Sequence, residues 1–151
     1  MGPSGESETA ILSRSECFDL LAQASVGRVG ASIDALPVIL PVHFAVSGES
    51  VLFRTILGTK LDAATIGAVV AFQADAYEVG DRSWSVLLQG VASAVSDKDE
   101  QARARSIHIG PWAGGRVDLR LVRIKATNVS GRTFRIAGEG PQVELPDRPS
   151  L

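Results

Sequence analysis

The chain has very few cysteines and no excess of charge of either sign. Cys17 is the single cysteine among 151 residues, so an internal disulfide framework is excluded and a reducing compartment is favoured. The 15 basic and 17 acidic residues give a formal net charge of -2, which creates no long-range field for a nucleic acid backbone. We therefore expect a protein that does not bind nucleic acid.

Long apolar runs and metal-binding patterns are also missing. No apolar run approaches the roughly 20 residues of a membrane-spanning helix, and the N-terminal residues lack the basic and apolar segments of a secretory signal. We expect a cytoplasmic protein that does not associate with membranes. The two histidines, His43 and His108, have no cysteine or carboxylate at metal-ligand spacing, so the sequence predicts no metal site.

Composition divides the chain into one domain with two short tails. Residues 1–9 and 139–151 are rich in Gly, Pro, Ser and charged side chains, which is typical of loosely ordered tails. The remaining residues, 10–138, are ordinary for a globular protein in their hydrophobic and charged content. A chain of this length buries about two thirds of its unfolded surface and folds as one domain.

Most of this domain has the pattern of β-strands. The segment Ser13-Arg14-Ser15-Glu16 matches a capping box and predicts a helix that ends near Ser25. Two more short helices are predicted at residues 60–66 and 97–107. The predicted strands cover residues 28–33, 36–46, 51–55, 68–74, 84–95, 117–125 and 129–136. This arrangement predicts a mainly β fold, a closed or half-closed antiparallel barrel.

A strand that turns through a glycine into a helix is the clearest candidate for an anion site. Arg54 lies on the strand, Gly58 in the turn, and Thr59 and Lys60 at the start of the helix. A guanidinium, a hydroxyl, an ammonium and unpaired backbone N–H groups together suit a phosphate. An ordinary turn with a solvated lysine has the same pattern, and both interpretations stay open.

The strand over residues 37–46 contains two prolines. Pro41 has no N–H, so the ladder is interrupted and the backbone of Val42 and His43 becomes available to a ligand. A plain edge strand with a solvent-facing histidine explains this pattern equally well. Trp112 lies in a Gly/Pro loop, where a tryptophan more often covers a ligand or an interface than joins the core.

In chain order, these segments resemble the FMN-binding split barrels of the pyridoxamine 5'-phosphate oxidase-like superfamily, in particular its short actinobacterial-type branch. The resemblance covers about residues 12–136 and is carried by Val26-Gly27-Arg28-Val29, residues 37–44, Phe53-Arg54-Thr55, Gly58-Thr59-Lys60-Leu61, residues 70–75 and 84–92, Pro111-Trp112 and residues 129–132. It implies a six-stranded antiparallel split β-barrel that works as a homodimer, with two FMN molecules at the interface.

The resemblance also implies roles for individual residues. Those that would hold the FMN phosphate or lie beside it are Arg54, Thr55, Thr59 and Lys60. Those whose backbone would line the flavin ring are Pro41, Val42, His43 and Phe44. Ser85 would approach the ring from the next strand, and Trp112 would reach it from the partner subunit.

Two positions depart from the pattern of this branch. His43 stands where relatives usually carry Asn, and Ser83 stands where they usually carry Gly, so these side chains either tune the pocket or block it. His43 is the one candidate for a catalytic proton donor, since an imidazole titrates nearest to neutrality. The Arg-x-His segment of true pyridoxamine 5'-phosphate oxidases has no counterpart, so we do not expect vitamin B6 synthesis.

Three hypotheses about function remain open on the sequence alone. The first is a flavin-dependent oxidoreductase that acts on a small-molecule redox substrate, with the chemistry carried by FMN. The second is a non-catalytic binder or carrier of FMN, deazaflavin F420 or haem. The third is an apo structural dimer whose pocket is closed by Ser83 and His43.

Overall fold

The computed structural model describes residues 9–78, 82–107 and 118–135. Within these ranges the chain forms seven strands and three short α-helices, with a 3-10 helix at Ala104–Ser106. The strands are β1 Ala10–Ile11, β2 Val26–Ile33, β3 Leu36–Ser47, β4 Ser50–Ile56, β5 Val69–Ala76, β6 Arg82–Ala94 and β7 Leu119–Arg135. The α-helices are α1 Arg14–Leu21, α2 Lys60–Thr65 and α3 Lys98–Arg103. The predicted mainly β fold is confirmed.

The strands close into a barrel because β7 pairs on both sides. The sheet order is β1-β7-β4-β3-β2-β5-β6, and β6 pairs again with β7, which joins the two ends. All strand pairs are antiparallel. The six longer strands therefore form the barrel wall, while β1 extends one end of β7. This closure leaves few exposed backbone edges, as such a strand-rich chain requires.

A single 17-residue strand, β7, replaces the two final strands predicted from the sequence. The register between β6 and β7 shifts at Gln89/Gly90, where Gly90 faces Ala126 and Gln89 faces Asn128. A bulge therefore bends the strand without ending it. Gly90 is required at this point, because a Cβ there would lie 1.9 Å from the carbonyl oxygen of Lys125.

The barrel interior is apolar, and α1 closes one side of it. Buried residues from the wall include Phe53, Phe72 and Leu88, and α1 adds Cys17 and Leu21 to the same core. The predicted capping box at the start of α1 is present, but the helix ends at Leu21 and not near Ser25. Burial raises the pKa of the Cys17 thiol, as expected for an unreactive core cysteine.

The compact apolar run at residues 68–74 predicts a strand that is buried on both faces, and this prediction is wrong for β5. Its residues alternate, with Val70, Phe72 and Ala74 buried and Val69 73% exposed. The reason is that β5 belongs to a single curved sheet, and the described part of the chain places no second layer over its outer face. An apolar strand in such a wall keeps one face in contact with solvent or with another molecule.

The barrel is split between β3 and β4. These strands pair only from Phe44↔Phe53 to Ser47↔Ser50, whereas β3 continues back to Leu36 beside β2 alone. The N–H of Phe44 donates to the carbonyl oxygen of Ser25, on the β2 side, at 3.0 Å. Since backbone groups alternate along a strand, Pro37 and Pro41 place their missing N–H positions at the opposite edge. The interrupted ladder predicted at Pro41 is therefore present.

Candidate functional site

The open edge of β3 and the turn between β4 and α2 lie on the two sides of the split. Beyond the last pair, Phe44↔Phe53, the next residues are His43 on β3 and Arg54 on β4. Further along, the Nζ of Lys60 lies 3.7 Å from Oδ2 of Asp34, in the turn that begins β3. The split between β3 and β4 thus opens beyond the pair Phe44↔Phe53 and is bridged by this ion pair near the start of β3. We take this split as the candidate cleft.

Thr59 begins α2 and is fully used in shaping the turn. Its Oγ1 accepts a hydrogen bond from the N–H of Asp62 at 3.2 Å and donates one to the carbonyl oxygen of Ile56 at 2.8 Å. Gly58, immediately before it, has a φ of 83°, which glycine adopts without strain. The predicted N-terminus of this helix is correct, and Thr59 acts there as its cap.

Lys60 presents its ammonium to solvent at the end of the cleft. Its side chain is 81% exposed, and among the described residues it forms an ion pair with the equally exposed Asp34. An exposed ion pair of this kind contributes little stability and exchanges readily with water. An incoming anion can therefore replace the carboxylate of Asp34 at little cost.

Asp62 is a buried carboxylate inside the same turn, and the sequence reasoning did not include it. It accepts hydrogen bonds from Oγ1 of Thr55 at 2.8 Å, from the N–H of Gly58 at 3.2 Å and from Nε of Arg120 at 2.8 Å. Burial raises the pKa of Asp62, but these three donors outweigh burial, and the pKa lies below its ordinary value. The signal in the sequence that could have indicated this residue is an acidic side chain two positions after Lys60, in the first turn of the predicted helix.

Arg54 and Thr55 both make contacts within the protein. Nη2 of Arg54 donates to the carbonyl oxygen of Ala104 at 2.9 Å, which ties β4 to the 3-10 helix. The hydroxyl of Thr55 is buried and donates to Asp62. Of the four residues expected around the phosphate, Lys60 is thus the one whose charged group faces solvent most fully.

The other wall of the cleft carries the residues expected to line the flavin ring. Phe44 is buried, and its ring packs edge-on against Phe72 with the ring centroids 4.7 Å apart. Pro41 is exposed, while Val42 and His43 are half-buried. By the alternation along β3, the backbone groups of Pro41 and His43 face the open edge, whereas those of Val42 and Phe44 face β2.

Ser85 lies elsewhere on the barrel. It is on β6, which is separated from β3 by β2 and β5, so it lies roughly 14 Å from β3 across three strand spacings. Its Oγ accepts a hydrogen bond from Nε2 of Gln73 at 3.3 Å. Ser85 lines a cavity of about 550 Å³ on the outer face, together with Thr9, Leu87, Ser130, Gly131, Arg132 and Phe134.

Ser83 does not point to the cleft. It is fully buried, and its hydroxyl accepts a hydrogen bond from the N–H of Glu78 at 3.0 Å, inside its own hairpin. This serine therefore stabilises the β5–β6 connection. Trp112 and His108 lie outside the described residues.

The described ranges lack both a metal-binding cluster and a membrane-spanning helix. No group of three or more His, Cys, Asp or Glu side chains is placed there to hold a metal ion. Nor does any helix in those ranges have the length and apolar character needed to cross a membrane.

The fold and cleft described above define a split-barrel protein, and comparisons with known proteins identify its family. A model of the pyridoxamine 5'-phosphate oxidase family matches residues 13–133. An uncharacterized protein from Mycobacterium tuberculosis is 36% identical over 135 residues, which cover 85% of this chain and 88% of the relative. The chain therefore belongs to the pyridoxamine 5'-phosphate oxidase-like family.

Solved structures agree with this assignment. The FAD binding protein from Mycobacterium smegmatis is 39% identical, with a TM-score of 0.69, and the match covers 83% of this chain and 98% of that one. A Corynebacterium glutamicum protein, provisionally assigned as a pyridoxamine 5'-phosphate oxidase, is 31% identical with a TM-score of 0.71. That match covers 87% of this chain and 96% of the other.

Proposed function

We propose that the protein binds a flavin, in the first instance FMN, and acts as a flavin-dependent oxidoreductase on a small-molecule substrate. The observation that carries this proposal is the cleft between the open edge of β3 and the β4–α2 turn. The similarity to an FAD binding protein supports a flavin of either form. FMN and FAD share the ring and the phosphate attached to its ribityl chain. The contacts proposed here are with these shared parts alone.

The residues of the cleft suit a flavin in their chemistry. The open edge of β3 offers backbone groups that no neighbouring strand occupies around Ile39 and Pro41, and a flavin ring has polar atoms along one edge to meet them. Lys60 offers an ammonium to the phosphate. In this proposal Thr59 and Thr55 act by holding the turn, and Arg54 acts by fixing β4 beside it.

The bound flavin would supply the hydride or electron transfer. The protein's own part is to orient the ring along β3 and to exclude water from it. His43 lies where β3 leaves β4 and is the candidate proton donor. The carboxylate of Asp62 is held by three donors and is therefore assigned no proton-transfer role.

The proposed site is completed by a second copy of the chain. Ser85 and Arg132 lie on the outer face of β6 and β7, away from the open edge of β3 in their own barrel. Exposed apolar side chains lie on the outer face of the wall, among them Ile39, Val69, Leu87 and Val91. An apolar patch of this kind marks an interaction surface. A homodimer would cover it and bring Ser85 of one protomer towards the cleft of its partner.

An absorption spectrum of the purified protein, before and after loading with FMN or FAD and desalting, tests this function. Flavin bands near 375 and 450 nm (approximate values for flavins generally), bleached by NAD(P)H and restored by an electron acceptor, support the oxidoreductase. Flavin that is retained but never reduced indicates a binder or carrier. A band near 420 nm or a haem spectrum would redirect the ligand to F420 or haem, and a colourless protein that retains no flavin overturns the proposal.

A further inference from the structure

A negative charge lies inside the turn that is proposed to receive a phosphate. Asp62 is in the first turn of α2, two residues after Lys60, and is 5% exposed. An uncompensated carboxylate at this position would repel a phosphate bound at Lys60, because like charges several ångströms apart near a protein surface repel each other strongly enough to alter affinity. The charge of Asp62 therefore has to be balanced.

Arg120 provides that balance from a different strand. It faces Thr55 directly across the β4–β7 ladder, and its Nε lies 2.8 Å from Oδ1 of Asp62. Its side chain is 33% exposed, so it is screened less by solvent than the pair between Lys60 and Asp34. With Asp62 and Arg120 paired, the net charge left in the turn is that of Lys60.

The same two residues also fix the shape of the turn. Asp62 binds the end of β4 through Thr55, the turn through the N–H of Gly58 and β7 through Arg120. These contacts connect three separate segments at one carboxylate. The position of Lys60 relative to β3 therefore depends on them, although neither Asp62 nor Arg120 needs to touch the ligand.

We propose that Arg120 and Asp62 are positioning residues that set the preference of the cleft for a phosphorylated flavin over riboflavin. The inference rests on the proposed flavin function. Arg120 neutralises the internal carboxylate, and Asp62 holds the turn, so together they allow Lys60 to act on the phosphate alone. Riboflavin has the same ring without the phosphate, and its binding should not depend on this pair.

The test measures the dissociation constants of FMN and riboflavin for the parent chain, Arg120→Gln, Arg120→Lys, and the double variant Arg120→Gln/Asp62→Asn. Arg120→Gln should weaken FMN on the order of tenfold, by the Coulomb argument, and leave riboflavin unchanged. Arg120→Lys, which keeps the charge, should recover most of the FMN affinity. So should the neutral double variant, because an amide oxygen at position 62 can still accept the hydrogen bond from Thr55 that holds the turn. Arg103→Gln, on the exposed face of α3, removes an equal charge elsewhere as the control.

Thermal unfolding of each variant shows whether it folds. If Arg120 and Asp62 have a purely structural role, the affinities for FMN and riboflavin should fall together, and the double variant should bind both most weakly. This result would overturn the inference. The inference would also be overturned if Arg120→Gln had the same ratio of FMN affinity to riboflavin affinity as the parent chain. If the parent chain binds neither FMN nor riboflavin, the proposed flavin function has failed. If the parent binds FMN and the substitutions at Arg120 and Asp62 leave its affinity unchanged, only the present inference has failed.

Discussion

Nη2 of Arg54 donates a 2.9 Å hydrogen bond to the carbonyl oxygen of Ala104 and so joins the barrel wall to the segment that follows α3. Ala104 and Ile107 pack with Leu52, Val95 and Leu121 in a second apolar cluster, outside the barrel core. The guanidinium thus reinforces this small cluster from the side of the cleft.

We predict that Arg54→Met lowers the free energy of unfolding by about 1–2 kcal/mol, because a half-buried charged hydrogen bond to a carbonyl is lost while most of the packing volume is kept. Chemical denaturation of the two proteins measures the difference. Arg103→Met, at an exposed position on α3, is the matched control and should be nearly neutral. Equal stability of Arg54→Met and the parent would contradict this role.

The carboxylate of Asp62 should make stability depend on pH in the acid range. Burial raises its pKa, but the hydrogen bonds from Thr55, Gly58 and Arg120 lower it further than burial raises it. A group whose folded-state pKa is depressed stabilises the fold above its unfolded pKa, about 4 for Asp, and this contribution is lost as pH falls through the folded value. The difference in unfolding free energy between the parent and Asp62→Asn should therefore be constant near neutral pH and shrink below about pH 4. A difference that does not change with pH would show that the charge of Asp62 contributes nothing.

Much of the fold was predictable because its signals are local. The capping box at Ser13, the glycine turn before Thr59 and the prolines in β3 each act through the backbone of neighbouring residues, and each is present in the structure. The structure adds that both prolines direct their missing N–H positions to the same, open edge of β3. A bulge is less visible in a sequence, since the bend near Ala126 depends on Gly90 in a different strand, and so β7 was predicted as two strands.

The site was harder to predict than the fold because its contacts are between distant residues. The sequence places Arg54 and Thr55 beside a phosphate turn, but it cannot show that Ala104 and Asp62 take their hydrogen bonds. Arg120 is 58 residues from Asp62 along the chain, and only the β4–β7 register brings the two together. The position of Ser85 was hard to predict for the same reason, because its distance from β3 follows from the order of strands in the sheet and not from their order along the chain.

Lys60 should be the residue on which retention of a phosphorylated flavin depends most. Its ammonium is exposed at the end of the cleft, so Lys60→Ala removes a charge without disturbing the core. We expect FMN affinity to fall by roughly tenfold or more, since a charge-assisted hydrogen bond to phosphate is lost, and riboflavin affinity to stay the same. Titration with each flavin, followed by absorbance after desalting, measures both. Lys98→Ala, at the exposed start of α3, is the control, and full retention of FMN by Lys60→Ala would show that the phosphate binds elsewhere.

The apolar outer face should determine the oligomeric state. Val69 and Val91 are directly opposite each other on β5 and β6, and both side chains are exposed. The edge of β3 is a poor place for another strand to add, because Pro37 and Pro41 lack the N–H groups needed there, so a second copy is expected to pack against the face of the sheet.

Val69→Glu puts a charge in the middle of this face, where a buried, unpaired carboxylate costs several kcal/mol in a dimer but little in a monomer that leaves it in water. We expect light scattering after size-exclusion chromatography to show a dimer for the parent and a monomer for Val69→Glu. Flavin retention should be lower in the monomer, because Ser85 and Arg132 of a second protomer are no longer near the cleft. Leu119→Glu, at the exposed start of β7, should remain dimeric. A parent that is monomeric at micromolar concentration and still retains flavin would show that one barrel is sufficient for the site.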